Sequence, residues 1–158
     1  MHTKLSAAAA AFVAAAIVAG AAIAGQTSAQ QRIAITSPNG NSNAFVLTPL
    51  TPGPIVRDSG TASYCCITPR FVHRDGQSIE IDNPTKSFLG KRGTFVWLAQ
   101  IDWVNLDHGW SVGTGTWKIV LGTGAYKHLE GHGRLAVIGG PGGQVEGPDA
   151  EGLVHLAR

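Results

Sequence analysis

Along residues 94–106 the side chains alternate: the odd positions read Phe95, Trp97, Ala99, Ile101 and Trp103, with Gln100 and Asp102 between them. A period of two places successive side chains on opposite faces of a strand, so this stretch predicts a long β-strand with one apolar face. Asp107-His108-Gly109 follows, its glycine standing where a three-residue hairpin loop needs a left-handed residue. With Leu106 opposite Trp110, the register pairs Trp103 with Gly113, Ile101 with Gly115, Ala99 with Trp117 and Trp97 with Ile119. Large then faces small in three of those four pairs, which suits the concave inside of a tightly curved sheet, where opposed bulky groups collide. The odd-numbered face is therefore expected to point into a core.

Shorter runs with the same grammar surround this hairpin. Strands are expected at 33–36 and 44–48, separated by Ser37-Pro38-Asn39-Gly40-Asn41 and followed by Pro49, Pro52 and Pro54. Residues 30–56 are on that account expected as a loosely ordered approach to a barrel domain at 57–158. A strand at 61–68 should stop at Pro69. Residues 71–73 and 77–81 flank Asp75-Gly76, a preferred two-residue hairpin turn, and Asp82-Asn83-Pro84 breaks the run. Gly122-Thr123-Gly124 predicts a turn, 125–129 and 133–138 strands, 139–143 a glycine-proline surface loop, and 153–156 a closing strand. Beyond residue 29 no apolar set recurs at helical spacing for more than one turn. The fold class is therefore all-β, a single sandwich or closed barrel.

The first 29 residues differ in kind. Lys4 precedes a run of alanine, valine and isoleucine from Ala7 to Ala24, and Thr27-Ser28-Ala29 supplies small residues, the order of a secretory signal peptide cleaved after Ala29 or, failing that, Ala24. The expected location is secreted, periplasmic or at the cell envelope, with membrane contact only through an uncleaved leader. Twelve Lys and Arg against ten Asp and Glu give a formal net charge of +2, one less once Lys4 leaves with the leader. The positive residues are scattered, so no phosphate-neutralising stripe forms and no nucleic acid is expected as a partner. The cysteines, Cys65 and Cys66, are adjacent. Neighbouring Cα atoms lie about 3.8 Å apart across a trans peptide, below the usual disulfide range. Two small apolar residues, one of them buried, are the ordinary expectation, with a vicinal disulfide or an intermolecular bridge as alternatives.

The block Arg92-Gly93-Thr94-Phe95-Val96, then 113–120 with its two glycines and Trp117, then Gly122-Thr123-Gly124-Ala125-Tyr126 with Leu129, Gly131 and Gly133, resembles small exported bacterial proteins grouped with the allene oxide cyclase and dirigent barrels. The resemblance implies an eight-stranded antiparallel barrel of calycin type. It implies little about activity, since the exported bacterial members mostly lack one; plant relatives steer cyclisation or radical coupling of hydrophobic molecules in the barrel cavity. No catalytic residue of theirs maps onto a position here. Association of copies through the barrel wall is expected only by analogy.

Phe95, Trp97, Trp103 and Trp117 are the ligand-lining candidates, set against the plain reading that they, with Trp110, fill the barrel. Asp102 and Tyr126 are the candidate polar groups for a cyclase-type reaction, although alternation turns Asp102 outward with Gln100. His128, Glu130 and His132 alternate and on one strand face would offer two imidazoles and a carboxylate to a metal, an arrangement that Gly131 and Gly133 work against. Gly113-Thr-Gly115 and Gly122-Thr-Gly124 have lysines where a dinucleotide fingerprint has its third glycine, and neither opens a helix. No Gly-x-Ser-x-Gly elbow occurs. No cofactor is expected. The leading expectation is a non-enzymatic barrel that binds a small hydrophobic molecule or serves at the envelope surface; a cyclase-type enzyme is the runner-up, and an interaction module using the loops around Pro52 and Pro141 the third class.

Overall fold

The computed structural model describes residues 29–158. The leader expected at residues 1–29 lies, but for Ala29, outside the described residues. Ten strands follow: β1 (Gln31–Thr36), β2 (Ala44–Pro49), β3 (Asp58–Cys65), β4 (Arg70–Arg74), β5 (Gln77–Asp82), β6 (Thr85–Gly90), β7 (Gly93–Asn105), β8 (Ser111–Gly122), β9 (Leu129–Gly140) and β10 (Gln144–Leu156). Eight of them close into an antiparallel barrel in the circular order β1, β2, β3, β6, β7, β8, β9, β10. The β4–β5 hairpin stands outside the ring. It leans on β7 through Glu80 opposite Trp103, Ile81 opposite Asp102 and Asp82 opposite Ile101.

The alternation along 94–106 builds the wall as expected. β7 and β8 pair Trp103 with Gly113, Ile101 with Gly115, Ala99 with Trp117 and Trp97 with Ile119, and the register slips by one only beyond Trp97. The loop between them closes through Leu106 N–H donating to Trp110 O, with Gly109 at φ +78 and His108 also left-handed. Phe95, Trp97, Ala99, Ile101 and Trp117 are buried and Trp103 partly so, all on the inner face. Gly113 has no room for a side chain: a Cβ there would lie 2.7 Å from both Ile101 and Val137 and 3.0 Å from the Trp103 ring. Trp117 likewise lies across Gly133, where a Cβ would come within 2.6 Å of its ring. Tight curvature and large inward rings coexist because glycines take up the opposing positions.

The centre of the barrel is packed rather than hollow. Phe45, Phe88, Phe95, Trp97, Trp117 and Tyr126 form a continuous aromatic set with ring centroids 4.5–5.8 Å apart, mostly edge to face, ringed by Ile33, Ile35, Leu47, Leu135, Val137 and Val154.

Several sequence expectations need correction. Residues 30–56 are not a loose approach: β1 and β2 are two staves of the ring, and Ile33, Ile35, Phe45 and Leu47 are fully buried. Their alternation was visible, but the partners that order them, β10 and β3, lie far along the chain. Residues 125–128 are not a strand, and β9 starts only at Leu129. Gly124–Tyr126 is a single 3-10 turn held by Tyr126 N–H to Thr123 O, and it carries the Tyr126 ring inward. β3 begins at Asp58, three residues before the predicted start, because Asp58 itself is bonded in the interior. Gly139 and Gly140 belong to β9 rather than to a loop, and the closing strand starts at Gln144, broken by a bulge at Glu146/Asp149. Cys65 and Cys66 form a vicinal disulfide with both residues exposed; Cys66 has φ +62, which turns the chain out of the sheet as β3 ends.

Candidate functional site

Inward alternation on β3 and β6 places Asp58, Ala62 and Tyr64 on one strand, and Lys86 and Phe88 on its neighbour, on the inner wall. These residues run from one barrel end, where β3 begins and β6 finishes, to the other, where β3 finishes and β6 begins.

At the first end every buried polar group is matched. Asp58 Oδ2 accepts from the Tyr126 hydroxyl at 2.6 Å and from Arg92 N–H at 3.2 Å, and Oδ1 accepts from Ser59 and Lys91 N–H at 2.8 and 3.1 Å. Burial raises the Asp58 carboxyl, but the Tyr126 hydroxyl and the Ser59, Arg92 and Lys91 amides outweigh it and hold the group below its usual value. Burial, and then the Asp58 carboxylate, pushes the Tyr126 hydroxyl up. Alongside, the buried Gln31 amide donates to Ile55 O and Thr51 O and accepts from Ile55 N–H. This end is stitched shut.

The second end is different. Lys86 is fully buried, and its Nζ donates to Ser42 O at 2.9 Å. The ammonium sits 4.1 Å from the centroid of the Tyr64 ring, its cross-strand neighbour, and 5.6 Å from that of Phe88. Lys86 belongs to none of the ion pairs among the described residues. Burial pushes the Lys86 amine down to about 7 and the Tyr64 hydroxyl up to about 12. On the other side of β6, Trp97 lies directly opposite Lys86, and its Nε1, fully buried, has no hydrogen-bond partner.

Further out, where β5 pairs with β7, come Glu80 and Asp82 on β5 and Trp103 on β7. Trp103 Nε1 donates to Asp82 Oδ2 at 2.9 Å, while Asp82 Oδ1 is buried without a partner. Burial, then the Asp82 charge and a hydrogen bond to it, raises the Glu80 carboxyl. Two ionised carboxylates have no proton to share, so Oδ1 gains a donor only when Glu80 is protonated. Asp82 and Lys86 stand opposite positions four residues apart on β7, roughly 13 Å at ~3.3 Å per residue.

The structure distributes the sequence candidates unevenly. Phe95, Trp97 and Trp117 are in the packed centre, Trp97 standing opposite Lys86 across the β6–β7 pair, and Trp103 lies over Gly113 further along β7. Tyr126 is at the opposite end, its hydroxyl committed to Asp58. Asp102 is on the outer wall, 3.5 Å from both Arg74 Nη1 and Gln100 Nε2, so Asp102 and Tyr126 do not meet. His128 precedes β9 with φ +65, while Glu130 and His132 face outward on the strand. Glu130 pairs with His155 at 3.5 Å, and His132 lies opposite Lys118. Among the described residues no three His, Cys, Asp or Glu side chains come together as a metal site. These three residues instead line an open groove of about 760 Å³ on the outer wall.

Lys86, Tyr64, Asp82, Glu80 and Asp58 were not singled out from sequence. Alternation alone could have found Lys86, since it shares a face with Phe88, but Leu89 next door is equally apolar and leaves the phase of so short a strand open. No protein-family model, curated protein or solved structure matches the chain.

Proposed function

We propose that the protein is a non-enzymatic binding module for a small hydrophobic molecule, seated at the barrel end formed by β3, β5, β6 and β7. Exported by its leader, it works outside the cytoplasm or at the cell envelope, and kinship with allene oxide cyclase and dirigent barrels is part of the same proposal. The observation that carries the reading is the contrast in polar satisfaction. The unpartnered polar atoms belong to Trp97, opposite Lys86 across the β6–β7 pair, and to Asp82, on β5 just before β6, and Lys86 itself is a buried lysine without an acidic partner. Native proteins leave few buried polar atoms unpaired, and such atoms concentrate where something else supplies the partner.

Of the ligand-lining candidates, Trp97 and Trp103 serve this seat, with Tyr64 added to them. Trp117 stacks on Trp97 from behind, and Phe95 backs it only through Phe88, on which it stacks. The cyclase-type alternative gains no support from Asp102 and Tyr126, which are held apart by the fold and engaged elsewhere.

Native mass spectrometry of the protein purified from its own host tests the reading, with tryptophan emission followed as hydrophobic alcohols such as 2-naphthalenemethanol are added. A bound small-molecule mass, or saturable quenching that Trp103→Phe weakens, is the expected result. Neither a bound mass nor any saturable change in emission would overturn it.

A further inference from the structure

A lysine on the inner wall of a barrel is costly to bury, because desolvation opposes its charge and an uncharged amine still needs hydrogen-bond partners. Most buried lysines meet a carboxylate. Lys86 meets an aromatic face and one backbone carbonyl instead, and it stays wholly buried. Directly across the strand pair, Trp97 presents an N–H with nothing to bond. Side chains opposite each other on neighbouring strands have Cβ atoms about 5 Å apart, so the Lys86 and Trp97 side chains leave the inner wall side by side, the amine then lying over Tyr64 on β3. The surroundings, Tyr64, Phe88 and Trp97, are aromatic. The groups that cover the amine, Tyr64 and Ser42, are themselves partly exposed, so the amine lies one layer beneath the surface of the barrel end.

We propose, resting on the binding reading above, that this seat captures carbonyl compounds, hydrophobic aldehydes above all, as a reversible imine on Lys86 Nζ. The carbonyl oxygen accepts from Trp97 Nε1, which draws electron density from the carbonyl carbon. The nitrogen lone pair attacks that carbon, the N–C bond forms, and the C–O π pair moves to oxygen. The proton shed by nitrogen goes to the same oxygen, giving a carbinolamine. That oxygen then leaves as water with the second nitrogen proton, and a C=N bond remains. One water is released, and nothing is oxidised or reduced.

Three features of the site serve this chemistry. Burial without an anion brings the amine down to about 7, so near neutral pH much of it carries the lone pair that attack requires. The Tyr64 ring face beneath Nζ stabilises the positive charge of a protonated imine, as it does that of the ammonium. The aromatic surround limits the water that would reverse the reaction. Capture of this kind is binding, not turnover, so it sharpens the ligand class without invoking an enzyme.

The test exposes the protein at pH 7 to benzaldehyde, 2-naphthaldehyde or decanal with cyanoborohydride, which fixes an imine as a secondary amine, and maps the label by peptide mass. Lys86 is expected to take at least roughly tenfold more label than the exposed Lys91, Lys118 and Lys127, because burial favours the uncharged, nucleophilic form of the Lys86 amine. Label confined to the exposed lysines with all three aldehydes overturns the proposal. Lys86→Met and Lys86→Arg should each lose the selective label, the second while keeping a cation. The matching alcohol, 2-naphthalenemethanol, cannot form an imine. If it binds while Lys86 takes no label, the imine fails and the binding reading stands; if it does not bind and Lys86 takes no label, both fail.

Discussion

The two ends of this barrel are built from the same strands and solve the same problem in opposite ways. At the first, one carboxylate gathers four donors from three segments of chain, Tyr126 among them, and Gln31 separately clips the Ile55 backbone. At the second, a buried amine has one carbonyl and two rings for company, and the nearby Trp97 N–H and one oxygen of Asp82 have no partner. A buried charge with a complete set of hydrogen bonds is a structural fastener, and its removal loosens the fold. A buried amine without one is a standing desolvation penalty, and the binding function proposed above is the reading that would account for its persistence.

The comparison breaks most sharply at Asp58. Asp58→Ala leaves the Tyr126 hydroxyl without its acceptor inside the barrel and frees three amides that it had satisfied, so a loss of about 3–4 kcal/mol in urea unfolding is expected. The loss should depend on pH. The folded carboxyl lies below its usual value, so its contribution is fully present above the unfolded value near ~4 and fades as the pH falls through the folded one. Wild type and variant should therefore converge in acid. A variant within about 0.5 kcal/mol of wild type at pH 7 would mean that the first end is no fastener.

Lys86→Met is expected to do the reverse. Methionine keeps the stem and its packing and removes the desolvated amine, so stability at pH 7 should hold or rise by roughly 1–2 kcal/mol. The wild-type pH dependence takes its sign from the amine lying at about 7 when folded against its ordinary 10.5. Between those limits the unfolded chain binds the extra proton, so wild-type stability should climb from pH 7 toward pH 9, by on the order of 2 kcal/mol, while Lys86→Met stays flat. Above pH 10 the Tyr64 and Tyr126 hydroxyls, both raised by folding, reverse the trend, so the measurement belongs below that. Parallel curves for the two proteins across pH 7–9 would show that Lys86 pays no desolvation penalty.

How far the ends could be read from sequence follows from the range of the interactions that make them. The β7–β8 hairpin was legible to the residue because its register is local: alternation sets the face, Asp107-His108-Gly109 sets the turn, and Gly113 and Gly115 answer Trp103 and Ile101. The same curvature left a sandwich or a closed barrel open, and only the family resemblance implied the eight-stranded barrel that the structure shows. The role of residues 30–56 was not legible, because β1 is ordered by β10 across the whole length of the chain. The same holds at the functional level. Tyr126 stood out as a residue, but its partner Asp58 lies 68 positions away, and nothing local distinguishes a fastener from a catalytic hydroxyl. Lys86 looked like one more scattered surface charge, since a single lysine in a strand of six residues does not reveal that its neighbours Tyr64 and Trp97 belong to two other strands.

The smallest of these effects lies at the mouth of the second end. Trp103→Phe keeps a ring over Gly113 and removes the one N–H that Asp82 accepts, so at pH 7 a loss of about 1 kcal/mol is expected by urea unfolding. The loss should shrink as the solution is acidified. Glu80 has its carboxyl raised by burial and by Asp82, so it takes up a proton in the fold before it would in the unfolded chain. Once protonated, its O–H can donate to Asp82 and replace the missing indole. The folded state binding the extra proton also means that this pair stabilises the protein more as the pH falls toward the unfolded value of Glu80, the opposite slope to that of Asp58. Equal losses for Trp103→Phe at pH 7 and pH 4.5 would show that Glu80 and Asp82 do not share a proton, and that the second end lacks even this partial means of satisfying itself.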